Sequence, residues 1–507
     1  MSGSCLIRSA MLLDDAAPRR LGPPVDIVVR DGVITEVVDA GRAALEEPIA
    51  VIDAHGWLAL PGLVNAHVHS SGAFNRGLVD DLPLELFMLY ELPPFDFGPF
   101  PPQLYRARVL FGTLEMVRRG VTAVLDDPIY APAPTPETVD AVMGAYRELG
   151  IRATVTIYQP ELPEHEWFPY LADLLEPEVL ARFVADRPPP ADAIIAGYRD
   201  FIARWHGAAG DRLRCGISPS APQRATDSYL TAMHALAAEH DMPYVLHVYE
   251  SKVQRVAEQV AGRPSLVQRL DELGVLDERA CIVHGVWIDD DDIARLAAAG
   301  ATVVHSPSGN LRCGSGLMPY RRLRKAGVEI ALCTDEATVE DTNNLWHVGR
   351  LAAQIHKISG PNYADWPTAP EILHALTAGG ARAMGLQDKV GMLRRGARGD
   401  IVLVDLAHPA YLPLTDVANH LIYGEDGSAV RRVIVDGEVI VSDGRVLTVD
   451  EDALIDEVRE LMPAWLEALE PASDWAARLR PAFDEMYRRC VATDVGFTRW
   501  TDNEQRS

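Results

Sequence analysis

Seven side chains able to bind a metal or move a proton stand at the ends of short apolar runs: His67, His69, His247, Glu250, His284, His305 and Asp335. Imidazoles and a carboxylate together suit a divalent metal of borderline softness, such as zinc or ferrous iron. His67 and His69 are two apart in PGLVNAHVH, and on a strand that spacing points both rings to one side. Each residue alone has an ordinary explanation. An H-x-H pair arises by chance, a histidine at a strand end is often a hydrogen-bonded structural group, and the aspartate of T-D-E suits a helix cap. Coincidence does not account for the set, because its members stand at the same end of successive predicted strands.

The elements that must position them can be read from the same rows. Eight β-rich runs separated by helical stretches end at His69, Asp127, Gln159, Ser220, Glu250, Ile288, Ser308 and Glu336. Most are continuously apolar, as expected of strands buried on both faces of a parallel sheet. Eight βα units in order predict an α/β fold, a (β/α)8 TIM-type barrel over residues 58–396, whose active site lies at the C-terminal ends of the strands. Residues 1–57 and 397–450 carry period-2 apolar runs joined at Asp-Gly turns, and together they predict one small composite β-sandwich domain built from both chain ends. The apolar spacing of DALIDEVRELMPAWLEALE predicts a helical extension over 451–507. Pro-rich stretches around Pro132 and Pro189 read as loops.

Composition narrows the class of function. With 47 Lys plus Arg against 73 Asp plus Glu, the net charge is −26, which disfavours nucleic acid and anionic membranes as partners. No basic segment precedes the first apolar stretch, so the N-terminus does not read as a signal peptide, and no apolar run is long enough for a membrane span. Six scattered cysteines without a C-x-x-C pair fit a reducing, cytoplasmic location. Cys215, Cys281 and Cys333 fall in strand-like runs, where a free thiol is a small buried hydrophobe.

Over roughly residues 1–450 the sequence resembles the amidohydrolase superfamily, and within it the branch of S-adenosylhomocysteine-type deaminases and s-triazine hydrolases. The resemblance is carried by PGLVNAHVH, by RGLVDDLPLELF in the following loop, by LHVYE, and by the block from HGVWIDDDD through HSPSGN to ALCTDE. It implies that His67, His69, His247 and Asp335 bind one divalent metal ion, zinc first and ferrous iron second, with a position left open for water. It further implies that Glu250, His284 and Asp335 are catalytic: Glu250 protonates a ring nitrogen and then the leaving group, His284 meets the attacking oxygen, and Asp335 takes or orients a proton of the water. The expected activity is hydrolysis of a carbon–nitrogen bond other than a peptide bond. An amino group on a nitrogen heterocycle or amidine-like carbon is replaced by hydroxyl, and ammonia leaves. Related leaving groups, a substituted amine, a halide or a cyclic amide, form the alternative, with a non-catalytic barrel scaffold as the remote one. The expected partner is a small aminated heterocycle, and relatives are commonly dimers or larger homo-oligomers.

Departures from the family pattern bear on the substrate. T-D-E replaces T-D-G and puts Glu336 beside a metal-ligand position, either as a selector of amino or guanidino groups or as a solvent-facing carboxylate. The loop LELFMLYELPPFDFGPF lacks the tryptophan and the aromatic-Pro-Leu-Glu ending that in nucleoside deaminases supplies a ribose-binding carboxylate, which tells against a nucleoside substrate unless Glu91 fills that role; Phe87, Met88, Tyr90, Phe95 and Phe97 form an apolar lid or packing under the loop. His305 is a candidate substrate contact or a core histidine. Asp126 and Asp127 are candidates for the site or caps, and the Asp289–Asp292 run starts a helix. If Glu91 and Glu336 face the pocket, neutral or cationic substrates are preferred over anionic ones.

Overall fold

The continuously apolar runs become parallel strands of a mixed α/β fold in a computed structural model, which describes residues 3–14, 17–45, 47–79 and 81–501. They are β1 (Leu63–His69), β2 (Val121–Asp126), β3 (Arg152–Val155), β4 (Leu213–Cys215), β5 (Tyr244–Val248), β6 (Ala280–His284), β7 (Thr302–His305) and β8 (Glu329–Leu332, resumed at Asp335–Glu336). Pairing runs β4-β3-β2-β1 and on to the second part of β8, while β5-β6-β7 pair on to its first part. Between β4 and β5 the contact is a single parallel bridge, Ile217 to Tyr244. Its hydrogen bonds are Val245 N to Ile217 O at 2.8 Å and Ile217 N to Pro243 O at 3.0 Å. Register brings the polar ends together: Val248 lies beside His284, and Asp335 and Glu336 lie beside Val68 and His69.

Several strands end in a left-handed residue that is not glycine. Ser220, Tyr249, His284 and Asp335 have φ of 69°, 52°, 73° and 64°. Such backbone costs energy and persists where packing over-determines it; two of the four, His284 and Asp335, line the pocket.

The chain ends form two larger sheets, beside a two-stranded one of Leu13–Asp14 and Ala17–Leu21. One orders Val33–Asp39, Val25–Arg30, Cys5–Ala10 and Ala50–Asp53; the other orders Arg445–Val446, Glu438–Ser442, Val430–Val435, Ile401–Asp405 and Trp57–Pro61. Cys5, Ile7, Ile27, Val29 and Ile34 share one apolar cluster with Ala59, Ile401, Leu403 and Ile434. The first predicted barrel run is therefore divided. Trp57–Pro61 pairs antiparallel with Ile401–Asp405, and only from Leu63 does the chain enter β1. Gly62 makes the crossing, where a Cβ would stand 1.9 Å from Thr122 Oγ1. Below β3, the buried Arg152 guanidinium binds Asp400 (3.0 Å) and Asp436 (2.7 Å) of the terminal segment, and Asp436 also receives Arg212 and Arg398.

The loop after β1 carries helix α1 (Leu84–Glu91). The tail forms helix α2 (Glu451–Ala492), whose Leu479, Phe483 and Met486 pack in one cluster with Leu86, Leu89 and Phe95. The predicted extension to 507 includes 502–507, which lie outside the described residues. Asp289 caps the helix Asp290–Ala299 in a reciprocal box with Asp292. All six cysteines are free and buried. Among the described residues, no helix is long and apolar enough to cross a membrane.

Candidate active site

The three histidines expected to bind metal converge although 180 positions separate His67 from His247. Their Nε2 atoms lie 3.1 Å (His67–His69), 3.2 Å (His67–His247) and 3.3 Å (His69–His247) apart. The tautomers follow from the other ring nitrogens. His69 Nδ1 donates to the Asp127 carbonyl at 2.6 Å and His247 Nδ1 to the Ser220 carbonyl at 2.9 Å, so both Nε2 atoms carry lone pairs. Lone pairs facing one another repel unless a cation lies between them. Zinc–nitrogen bonds of about 2.0–2.1 Å in a tetrahedron set ligand nitrogens about 3.3–3.4 Å apart, close to the spacing observed. Asp335 Oδ1 completes the group 3.7 Å from His69 Nε2 and 3.8 Å from His67 Nε2. Burial, then the neighbouring rings, hold His67 and His247 well below the usual imidazole range; burial brings His69 to about 4 against the Asp127 hydrogen bond. All three are neutral at pH 7, the form that ligates metal.

Glu250, His284 and Asp335 form a second group beside the first, their ligand atoms all within 4.8 Å of one another. His284 Nδ1 donates to Asn310 Oδ1 at 3.1 Å, which turns Nε2 toward Glu250 Oε2 at 3.2 Å. Burial pushes His284 down to about 3, while burial and then the charge of Asp335 push Glu250 well above the carboxylate range. The pair therefore holds one proton at neutral pH and no net charge. Asp335 is lifted by burial, then by Glu91, to about 7, so its ionised form depends on a positive charge beside it.

Both groups open into one pocket, lined also by Phe87, Met88, Glu91, Glu336, Tyr158 and Arg224. Glu91 and Glu336 hydrogen-bond each other, and Thr338 Oγ1 donates to Glu91 at 2.7 Å. Glu336 is 5% exposed and its Oε2 has no partner, so it is not a solvent-facing carboxylate. Phe87 lines the pocket while packing on Val79, Cys313 and Val339. His305 is not among the lining residues: its Nε2 meets that of buried His356 at 2.9 Å, the core-histidine alternative. Asp126 and Asp127 sit behind the site. Asp126 accepts from Ser70 N and Tyr146 OH, and Asp127 from Ser218 Oγ, while the Asp127 carbonyl orients His69. Of the aromatic loop residues, Phe95 packs on Phe183 and Trp475, and Phe97 on Phe100 and Trp465.

Four contributors were missed in the sequence. Tyr158 stood in plain view at the end of the third run and fits the same strand-end rule. Arg224 lies beyond the end of β4, in a turn (Pro222–Arg224) that no periodicity marks. Asn310 and Ser220 act on His284 and His247 from outside the pocket.

A family model described as "Amidohydrolase family" matches residues 58–440. A 5'-deoxyadenosine deaminase of Methanosarcina mazei is 30% identical over 434 residues, covering 86% of this chain and 92% of that protein. A 5-methylthioadenosine/S-adenosylhomocysteine deaminase of Pyrococcus furiosus is 31% identical over 438 residues, with coverage of 85% and 94%. Among solved structures, an adenosine deaminase from Xanthomonas campestris with bound zinc superposes with a TM-score of 0.77 at 26% identity, covering 94% of this chain and 98% of that one. The atrazine chlorohydrolase of Arthrobacter aurescens complexed with zinc gives 0.80 at 24% identity over 90% and 100%, a likeness of fold alone.

Proposed function

The chain belongs to the amidohydrolase family, and from that premise we propose that it is a metal-dependent aminohydrolase that replaces an amino group on a nitrogen heterocycle, or on a related amidine-like carbon, by hydroxyl and releases ammonia. We read the eight parallel strands as a (β/α)8 barrel joined across Ile217–Tyr244 and through β8, and the terminal sheets, with their shared apolar cluster, as one composite domain. The observation that carries the functional reading is the convergence of three imidazole Nε2 atoms within 3.3 Å, two of them with lone pairs fixed by their Nδ1 hydrogen bonds, beside a neutral Glu250–His284 pair.

His67, His69, His247 and Asp335 would hold one divalent ion, zinc before ferrous iron. When bound, such an ion supplies Lewis acidity that makes hydroxide available from water near neutral pH. Asp335, ionised beside it, accepts the proton that the water gives up. The proton between Glu250 and His284 rests on Glu250, with His284 Nε2 facing it as the acceptor. It passes to a ring nitrogen of the substrate as the adjacent carbon is attacked. The proton taken up by Asp335 then goes to the departing nitrogen, and the new hydroxyl returns its own proton to Glu250 as the carbon–nitrogen bond breaks. A leaving group as poor as ammonia must be protonated and chloride need not be, which favours deamination over dehalogenation. The curated relatives, named as deaminases of adenine nucleosides, support the same class.

The test is an ammonia-release screen of metal-loaded protein over aminopurines, aminopyrimidines, pterins, triazines and cyclic guanidines, with metal analysis of the purified chain. About one metal per chain and ammonia from at least one class are expected. Metal without ammonia from any class would move the assignment to amide or halide hydrolysis, and neither metal nor turnover would favour a scaffold.

A further inference from the structure

One cation in the pocket is left without the partners that a buried charge requires. Arg224 is 8% exposed. Its guanidinium lies over Trp167, 4.3 Å from the ring centroid, an arrangement that holds the plane rigidly. Nη1 donates to Tyr158 OH and, at 3.2 Å, to Ser220 Oγ; Nη2 reaches only the weak acceptor Met88 Sδ at 3.8 Å; Nε has no partner. A guanidinium carries five N–H donors, so its Nη2 and Nε edge lacks any oxygen or nitrogen acceptor. No carboxylate among the described residues stands within ion-pair distance of it; Glu85, Asp127, Glu164 and Glu250 are near enough to feel its charge but leave the Nε and Nη2 donors unbonded. Burying a charge so incompletely satisfied is expensive, and the expense is offset where a ligand supplies the missing acceptor.

The position says what that ligand is. Arg224, Tyr158, Met88, Leu92 and Ile129 line both the inner pocket with Glu250 and His284 and a larger outer cavity bounded by Pro132, Glu164 and Pro189. A molecule whose reacting carbon sits at the inner groups therefore passes Arg224 with its outer part. Resting on the aminohydrolase reading, we propose that Arg224 is a specificity-determining residue and that the substrate carries an oxygen acceptor, a ring oxo group or a carboxylate, bound by the Nε and Nη2 edge. Glu91 and Glu336 then demand hydrogen-bond donors on their side of the pocket while Arg224 demands an acceptor on its own, so the preference for neutral or cationic substrates applies to the Glu91 side alone.

Matched pairs test this: adenine with 8-oxoadenine and 2-aminopyrimidine with isocytosine for the oxo group, adenosine with adenosine 5'-carboxylate for the carboxylate. Affinity is read by calorimetry and turnover by ammonia release on metal-loaded protein. At least one acceptor-bearing member should bind about 10-fold or more tightly than its partner, the usual weight of a charged hydrogen bond. Arg224→Gln should bring that ratio close to one and Arg224→Lys should restore only part of it, because an ammonium cannot present two parallel donors. Should Arg224→Gln fail to fold, the wild-type ratios alone decide. The inference is overturned if no acceptor-bearing member binds better than its partner, or if the ratio survives in Arg224→Gln. A calorimetric preference without ammonia from any pair or from any class of the wider screen would remove the aminohydrolase reading and leave the acceptor subsite standing.

Discussion

Glu250 owes its proton to burial and to the company of Asp335, while His284, turned by Asn310, keeps a lone pair toward it. Replacing the carboxyl by an amide retains the shape and removes the transferable proton. Glu250→Gln is thus expected to lower kcat by about 10²–10⁴-fold while metal content and melting temperature stay near wild type. Ammonia release set against metal analysis measures both, and full turnover would mean that the proton comes from elsewhere. The sign with pH follows. Glu250 is raised, so its acid form dominates at neutral pH, and kcat should fall as pH climbs through its shifted value. At this scale most of the site was legible, since residues at one end of successive parallel strands must meet. Arg224 was not, because its place depends on a turn beyond the strand. Neither was the contact of His305 with His356, because His356 follows the helix Leu345–Ile355 and shares no motif with it.

Between elements, the most constrained joint is the buried ion network under β3. Burial alone would raise Asp436, but the hydrogen bonds from Arg398 and Arg212 and the charge of Arg152 outweigh it and hold the carboxyl below its ordinary range. Removing one partner of a buried network costs about 3–5 kcal/mol, much of it for the cations left behind. Asp436→Asn should therefore lower the denaturation midpoint at pH 7. A depressed folded pKa gives stability that is present above the unfolded value of about 3.9 and lost as pH falls through the folded one. The gap between wild type and Asp436→Asn should thus close on acidification below about pH 4; a gap constant from pH 7 to pH 3 would assign the loss to packing. The strand count and the hairpin character of both chain ends were visible as apolar periods. The division at Gly62 was not, since LALPGLVNAHVH is apolar on both sides of the glycine and only the approach of Thr122 makes the crossing specific.

Across the whole molecule, the tail packs behind the loop whose residues line the active-site pocket. Trp465 of α2 is buried between Phe97, Phe100 and the Arg108 guanidinium, and its Nε1 donates to Asn75 Oδ1 at 3.1 Å. Asn75 and Glu91 border one small cavity with Trp465, and Asn75 favours the ionised form of Glu91, so a residue beyond the matched 58–440 segment stands two contacts from a pocket carboxylate. Farther along, Arg499 donates to the Val286 carbonyl and Lys252 to that of Val491, which ties the tail to the ends of β5 and β6. A chain stopped at Asp450 would expose Leu86, Leu89 and Phe95 together, an apolar patch that binds hydrophobic dye and loosens α1. Trp465→Phe separates the two roles. It keeps an aromatic ring in the cluster and deletes only the donor, at about 1 kcal/mol of stability. We expect the truncated chain to gain dye fluorescence and lose ammonia release. Trp465→Phe should melt within a few degrees of wild type yet turn over more slowly, with KM rising as Glu91 loses its support. Wild-type kinetics in Trp465→Phe would reduce the tail to a cover, and wild-type kinetics in the truncated chain would remove it from the site altogether.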